Sequence, residues 1–380
     1  MLISIKEKIN RHLSNIPGWR TNRKIIVIES DDWGSIRMSS KKAFKNLKEA
    51  GIAVDKNHYN TNDGLESNED LQFLMEVLSS HKDKTGRPPV ITGANIVANP
   101  DFEKIKAHDF TEYFYEPVIE TCKRYPTHDK ILALWNTGIK DRLLVPEFHG
   151  REHLNTQRWL KSLQIGCEAT HLAFVNGVTG ISKGMAGENL PKYQAAFDID
   201  TIEDLDYQKE VIQTGTDIFE QLYGYRAKFF IPTNGPFNNI LEETVKACGI
   251  DYLGTGKIQV EPLGNDRYKK HFRYLGKQEN GLTYLTRNCF FEPNSSKYSS
   301  SKDWVNDCLK EIEIAFKWNK PATISTHRVN YIGWLNSDNR DNGLKKLEQL
   351  LKQILIKWPK IEFLTTSELG EIIKKSRMKS

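Results

Sequence analysis

The stretch Lys24-Ile-Ile-Val-Ile-Glu-Ser30-Asp31-Asp32-Trp33-Gly34 decides how this chain is read. The consecutive β-branched residues Ile25 to Ile28 favour a buried strand. That strand then runs into two adjacent carboxylates. Such a pair is costly at the end of an apolar run unless something uses it. A turn followed by a helix N-cap is one use, since Asp favours both. A metal ligand beside a general base is the other.

Outward from this strand, short apolar runs alternate with amphipathic stretches. Strands are expected at 89–97, 131–136, about 165–175, 227–232, 251–254, 282–287, 321–327 and 361–365. Helices are expected at 68–81, 202–222, 239–247, 304–318, 344–358 and after Ser367. Alternation of this kind builds parallel β/α units. About eight strand candidates in 380 residues, with no repeat or linker, suit one β/α barrel with insertions. The chain is then a single domain with its core at about 24–375. A doubly wound open sheet is the alternative. In either arrangement, functional groups belong at the C-terminal ends of the strands.

That rule singles out two further segments. Pro146-Glu-Phe-His149-Gly-Arg-Glu-His153 carries histidines at i and i+4, which share one face of a helix and can reach one metal. It is not His-Glu-x-x-His, so the zinc-protease signature is absent. Ile324-Ser-Thr-His327-Arg328 ends a strand on a third histidine. Singly, each has a plain structural reading as a turn or a satisfied core histidine. Together, two His and one Asp can hold a divalent ion with positions left open. A second Asp is then a candidate base and a separate His a candidate acid.

With these residues in view, the sequence resembles the polysaccharide deacetylase (NodB-like carbohydrate esterase) family, which implies a distorted (β/α) barrel of seven to eight strands. The family's first motif, Thr-Phe-Asp-Asp-Gly, is matched by Glu29-Ser-Asp-Asp-Trp33, with Gly34 one place late. The resemblance makes Asp31 the catalytic base and Asp32 a metal ligand. The second motif, His-Ser/Thr-x-x-His, is matched by His149-Gly-Arg-Glu-His153, both further ligands. The third contains Arg-x-Pro-x-Gly, and its nearest match is Phe230-Ile-Pro232-Thr-Asn-Gly235, with Phe in place of Arg. The arginine that braces the base then comes from elsewhere, from Arg226 or Arg37, or is missing. The fifth motif, Leu-x-His, is matched by Ser325-Thr-His327, the implied general acid, and Glu292 is assigned as its acidic partner. The resemblance spans Ile25 to about Leu369.

What the resemblance implies is a metal-dependent hydrolase that removes an acetyl group from an acetylated sugar or polysaccharide precursor. The ion is expected to be Zn²⁺, although Fe²⁺, Co²⁺ or Ni²⁺ suit the same ligands. It would lower the pKa of a bound water from 15.7 towards about 7, with Asp31 taking the proton and His327 protonating the leaving group. A backbone N–H around Thr233 would face the oxyanion. Trp33, Trp135, Tyr331 and Trp334 are candidates for stacking on sugar rings, with core or loop packing as the plain alternative. Trp33, beside the Asp pair, is the first choice. Two rival readings are a glycosidase using two carboxylates on a related barrel and a non-catalytic carbohydrate-binding pseudoenzyme.

Composition sets the outer limits. The 54 Lys and Arg against 49 Asp and Glu give a net charge of +5, too mild and too dispersed for a dedicated nucleic-acid binder. Eight Trp, 14 Tyr and 17 Phe can bury a large core, which argues against disorder. No apolar run approaches the ~18–20 residues of a membrane span. Five cysteines, odd in number and without a Cys-x-x-Cys pair, read as reduced thiols. The N-terminus lacks a signal-peptide pattern, so a cytoplasmic location is expected, and with it a precursor as substrate.

Overall fold

The run from Ile25 to Ile28 extends into a nine-residue strand, Ile25–Trp33, buried along its whole length in the computed structural model. Residues 5–181, 184–186, 190–295 and 302–377 are described. Side chains of a strand alternate between faces. Ile25 and Val27 join an apolar cluster with Phe229, Tyr252, Leu285 and Leu364. Ile26 and Ile28 join a larger cluster shared with the surrounding helices. Both faces are covered, as parallel strands between layers require.

The strand is flanked in parallel by Ala322–His327 on one edge and Ile91–Ile96 on the other. Beyond Ile91–Ile96 come Leu144–Gly150, Phe229–Phe230, Tyr252–Thr255 and Leu282–Thr286, all parallel. Beyond Ala322–His327 comes Cys289–Phe290, also parallel. Leu282–Thr286 and Cys289–Phe290 are one run of chain, interrupted only at Arg287 and Asn288. The two ends of the sheet therefore meet on a single interrupted strand, and the sheet curls into a ring. Asn288 closes the gap: its N–H donates to the Thr323 carbonyl at 3.2 Å, and its Oδ1 accepts the Thr323 N–H at 2.9 Å. Glu362–Leu364 pairs with the start of the first strand, and Gln278–Glu279 adds an antiparallel edge. The sheet has 10 strands, more than the seven to eight expected. The excess comes from the Gln278–Glu279 piece and from the interruption that splits one strand in two.

Helices Asn68–Ser79, Ile131–Lys140, Asp204–Tyr223, Trp304–Lys317 and Ser337–Lys357 supply the outer apolar layer. Helix Thr366–Arg377 sends Leu369 and Ile373 into the cluster of Ile25 and Val27, which fills the ring where the strands begin. Among the described residues, no helix is long and apolar enough to cross a membrane.

Two expected strands are helices. Ile131–Lys140 buries Ile131, Trp135 and Gly138, spaced at one helical face. Glu168–Val175 buries Ala169, Thr170, Ala173 and Phe174. Short apolar runs fit either period, and packing decides between them. Conversely, Leu144–Gly150 is a strand that Pro146 and Glu147 conceal in the sequence. Pro146 is tolerated because Phe229–Phe230 pairs with this strand only at Phe148. The Glu147 carboxylate accepts the N–H groups of Lys228 and Phe229, both at 2.9 Å, in place of ladder bonds.

Candidate metal centre

The first strand changes character along one face. Ile25 and Val27 are followed on that face by Glu29 and Asp31, both buried. A regular strand would send Asp32 to the opposite side. Instead, the pairing with Ile91–Ile96 shifts between Ser30 and Trp33, and Asp32 takes a φ of 78°. Asp is among the few side chains that tolerate the left-handed region, and a bulge of this kind re-aims the residue. Asp31 and Asp32 consequently line the same cavity.

Trp33 goes the other way. It is fully buried, its Nε1 donates to Ser30 Oγ at 3.0 Å, and its ring meets Trp135 edge-on at 5.4 Å. The stacking role expected for Trp33 is corrected: the ring is part of the core and offers no face to a ligand. Trp135 and Tyr331 are likewise buried, and Trp334 packs on His128 at 4.9 Å.

His149 lies at the end of the Leu144–Gly150 strand, and His153 follows in a loop. The pair does not share a helical face. Gly150, at φ 152°, turns the chain between them. His149 Nε2 stands 3.4 Å and His153 Nε2 3.1 Å from Asp32 Oδ1. His149 Nδ1 donates to the Ile231 carbonyl at 2.6 Å, which orients the ring with Nε2 turned towards Asp32. One ligand atom from each of the three residues lies within 4.8 Å of the others, and all three residues are buried. Burial holds His153 on the neutral side despite the pull of Asp32, and neutral imidazole is the ligating form. Burial opposes the charge of Asp32, but the two imidazoles outweigh it and keep the carboxyl well below its usual range. A carboxylate and two imidazoles without sulfur fit Zn²⁺, Fe²⁺, Co²⁺ or Ni²⁺.

The loop that carries His153 is pinned by Arg151. Its Nε donates to Glu152 at 2.7 Å, its terminal nitrogens donate to Thr214 and Tyr207 at 3.0 Å, and its guanidinium lies 4.0 Å over the Tyr115 ring.

Asp31 is held by an arginine that was not among the candidates. Arg287, in the interruption of the closing strand, grips Asp31 with both terminal nitrogens at 2.6 and 2.5 Å and reaches Glu29 through Nε. Burial raises the cost of a charge on Asp31, but Arg287 more than offsets it, and the carboxyl stays below its usual range. Arg287 closes an expected strand, so the strand-end rule that found His327 would have found it too.

His327 Nε2 is 3.9 Å from Asp31 Oδ2. Its Nδ1 donates to Glu292 at 2.6 Å, and Asn330 Nδ2 donates to the other Glu292 oxygen at 2.7 Å. Burial favours the neutral ring, yet Glu292 outweighs it and pushes His327 up to about 10. A depressed carboxyl thus faces a cationic imidazole, the protonation states of a base and an acid.

Asp31, Asp32, His149, His153, Arg287 and His327 all line one cavity of about 260 Å³, together with Arg37, Tyr59, Pro232 and Asn234. Thr233 sits just behind that lining, buried, with Oγ1 accepting the Ala196 N–H at 3.1 Å. Arg226 is remote: half-exposed, it pairs with Glu220 at 2.9 Å. Its expected place behind the base is corrected in favour of Arg287, whose planar fork matches the carboxylate. Arg37 lines the cavity but does not touch Asp31.

No family model matches the chain, and no curated protein matches it. Solved structures do. A 4-α-glucanotransferase from Thermococcus litoralis aligns at 11% identity and a TM-score of 0.45, over 92% of this chain and 40% of its own. A putative polysaccharide deacetylase from Mycobacterium smegmatis aligns at 8% identity and 0.44, over 95% and 94% of the two chains. A CE4 family pseudoenzyme from Bacillus anthracis aligns at 9% identity and 0.36, over 94% and 69%. Likenesses at these values identify neither a family nor an activity for this chain.

Proposed function

We propose that the protein is a metal-dependent hydrolase that removes an acetyl group from an acetylated carbohydrate. The observation that carries this reading is the convergence, in one cavity, of a buried Asp–His–His set, an arginine-held carboxylate and a carboxylate-held histidine. Asp32, His149 and His153 would hold the ion, most simply Zn²⁺. Such an ion supplies Lewis-acid polarisation of a carbonyl oxygen and acidifies water.

The remaining chemistry belongs to the side chains. Asp31, kept ionised by Arg287, takes the proton of the attacking water. His327, kept cationic by Glu292, delivers a proton to the departing nitrogen or oxygen. The segment around Thr233 borders the cavity and would turn a backbone N–H towards the developing oxyanion. A glycosidase pair needs one carboxylic acid that stays protonated. Asp31 and Asp32 are both held on the ionised side, which disfavours that rival. Arg287 supplies a brace for the base that the motif comparison lacked, which favours turnover over binding alone.

The test is acetate release from a panel of N- and O-acetylated sugars. Asp31→Asn should lower turnover by about 10²- to 10⁴-fold, with metal content unchanged. Equal turnover by the Asn variant, or undiminished turnover after chelation, would exclude the mechanism.

A further inference from the structure

Nearly every charged group around the cavity is committed to a partner: Asp31 to Arg287, His327 to Glu292, and Asp32 to the two histidines. Arg37 is held more loosely, by two long ion pairs and no hydrogen bond. Its side chain is 11% exposed, and its approaches to carboxylates are 3.7 Å to Asp32 Oδ2 and 3.8 Å to Asp63 Oδ2, both beyond hydrogen-bond length. Asp63 Oδ1 accepts both Nε and Nη2 of the buried Arg328 at 3.1 and 2.9 Å, while Oδ2, which faces Arg37, accepts no hydrogen bond. The donors of the Arg37 guanidinium thus open on the cavity without a hydrogen-bond partner.

The group is also pre-placed. Its guanidinium stacks over the Tyr59 ring at 5.0 Å, and Tyr59 in turn meets His327 edge-on at 5.7 Å. Its stem lies so close to Gly180 that a Cβ there would come within 2.7 Å of Arg37 Cδ. A partly buried, positioned arginine with unfilled donors costs desolvation unless a ligand satisfies it. Its planar fork suits a carboxylate or a phosphate.

We propose that Arg37 is a specificity residue that binds an anionic substituent, carboxylate or phosphate, on the acetylated carbohydrate. The substrate class is therefore an acidic acetylated sugar rather than a neutral one. This rests on the deacetylase reading only for the acetyl group. The anion site stands on Arg37 and its surroundings.

Matched probes test it on the metal-loaded protein. Calorimetric binding of glucose, glucose 1-phosphate and glucuronate is compared with acetate release from N-acetylglucosamine, its 1-phosphate and N-acetylglucosaminuronic acid. One anionic probe should bind, and its acetylated counterpart react, at least about ten-fold better than the neutral sugar, from one charge-assisted contact. A phosphate preference and a carboxylate preference each support the proposal and name the source of the anion. Arg37→Gln should abolish the preference through KM, so that anionic and neutral sugars are then bound and turned over alike. Arg37→Lys, which keeps the charge but loses the fork, should retain part of it. Anion preference without acetate release from any sugar would uphold the site and defeat the proposed activity. No preference in the unsubstituted protein, or equal losses on neutral and anionic sugars in Arg37→Gln, would overturn the proposal.

Discussion

Asp31 and Asp32 carry the same side chain one peptide apart, yet their surroundings give them different work. Arg287 claims Asp31 with two hydrogen bonds, while the bulge at φ 78° delivers Asp32 to His149 and His153. The pairing of His327 with Glu292 yields a prediction at this scale. The acid must be protonated to act, and its pKa of about 10 places the alkaline limb of the activity profile there. Glu292→Gln removes the main group that raises it, so the imidazole loses its proton at lower pH. The alkaline limb should move down by about one to three pH units, with the acid limb, set by Asp31, unmoved. A pH profile of kcat/KM checks this; an unmoved alkaline limb would remove His327 from the role of acid. The two Asp and His327 stood out at the ends of apolar runs, His149 and His153 by their spacing, and Glu292 only through the family resemblance. The brace was sought at Arg226 or Arg37, or taken as missing, because Arg287 lies in none of the matched motifs. Trp33 was misjudged because adjacency to an Asp pair does not say which way a bulge sends the next residue.

The loop between His149 and His153 shows how elements, rather than spacing alone, build the centre. Spacing suggested a helix; the structure uses a strand end, a glycine turn and a buried arginine. Arg151 and Glu152 are both nearly inaccessible. Removing the arginine would leave a buried carboxylate without its counter-charge. Arg151→Met should cost about 3–5 kcal/mol of stability and weaken metal binding through the displaced His153. Urea unfolding and metal titration of this variant measure both; an unaltered midpoint would show that the loop does not depend on the pair. The strand Leu144–Gly150 was illegible because Pro146 and Glu147 contradict strand propensity. Only the tertiary neighbours, Lys228 and Phe229, reveal why they are permitted. The apolar run at Ile131 was ambiguous for the opposite reason, since it satisfied both periods.

At the scale of the whole molecule, the alternation of apolar runs and amphipathic stretches was enough to predict a mostly parallel sheet wrapped by helices. It could not foresee that the sheet's two ends meet on one interrupted strand, because ring closure depends on register. That interruption places Arg287 opposite the end of the first strand, so closure and the charge of the base are coupled. An ion on Asp32, His149 and His153 would tie the first strand to the Leu144–Gly150 strand and its loop. Metal at a hundred-fold excess over its Kd should stabilise the fold by about 3 kcal/mol, seen as a rise of several degrees in Tm that chelation reverses. The central claim is the metal centre itself, and elemental analysis of the purified protein tests it most directly. About one divalent ion per chain is predicted, lost in both His149→Ala and His153→Ala and kept in Asp31→Asn. A wild-type protein that binds no ion, or alanine variants that keep it, would contradict the account.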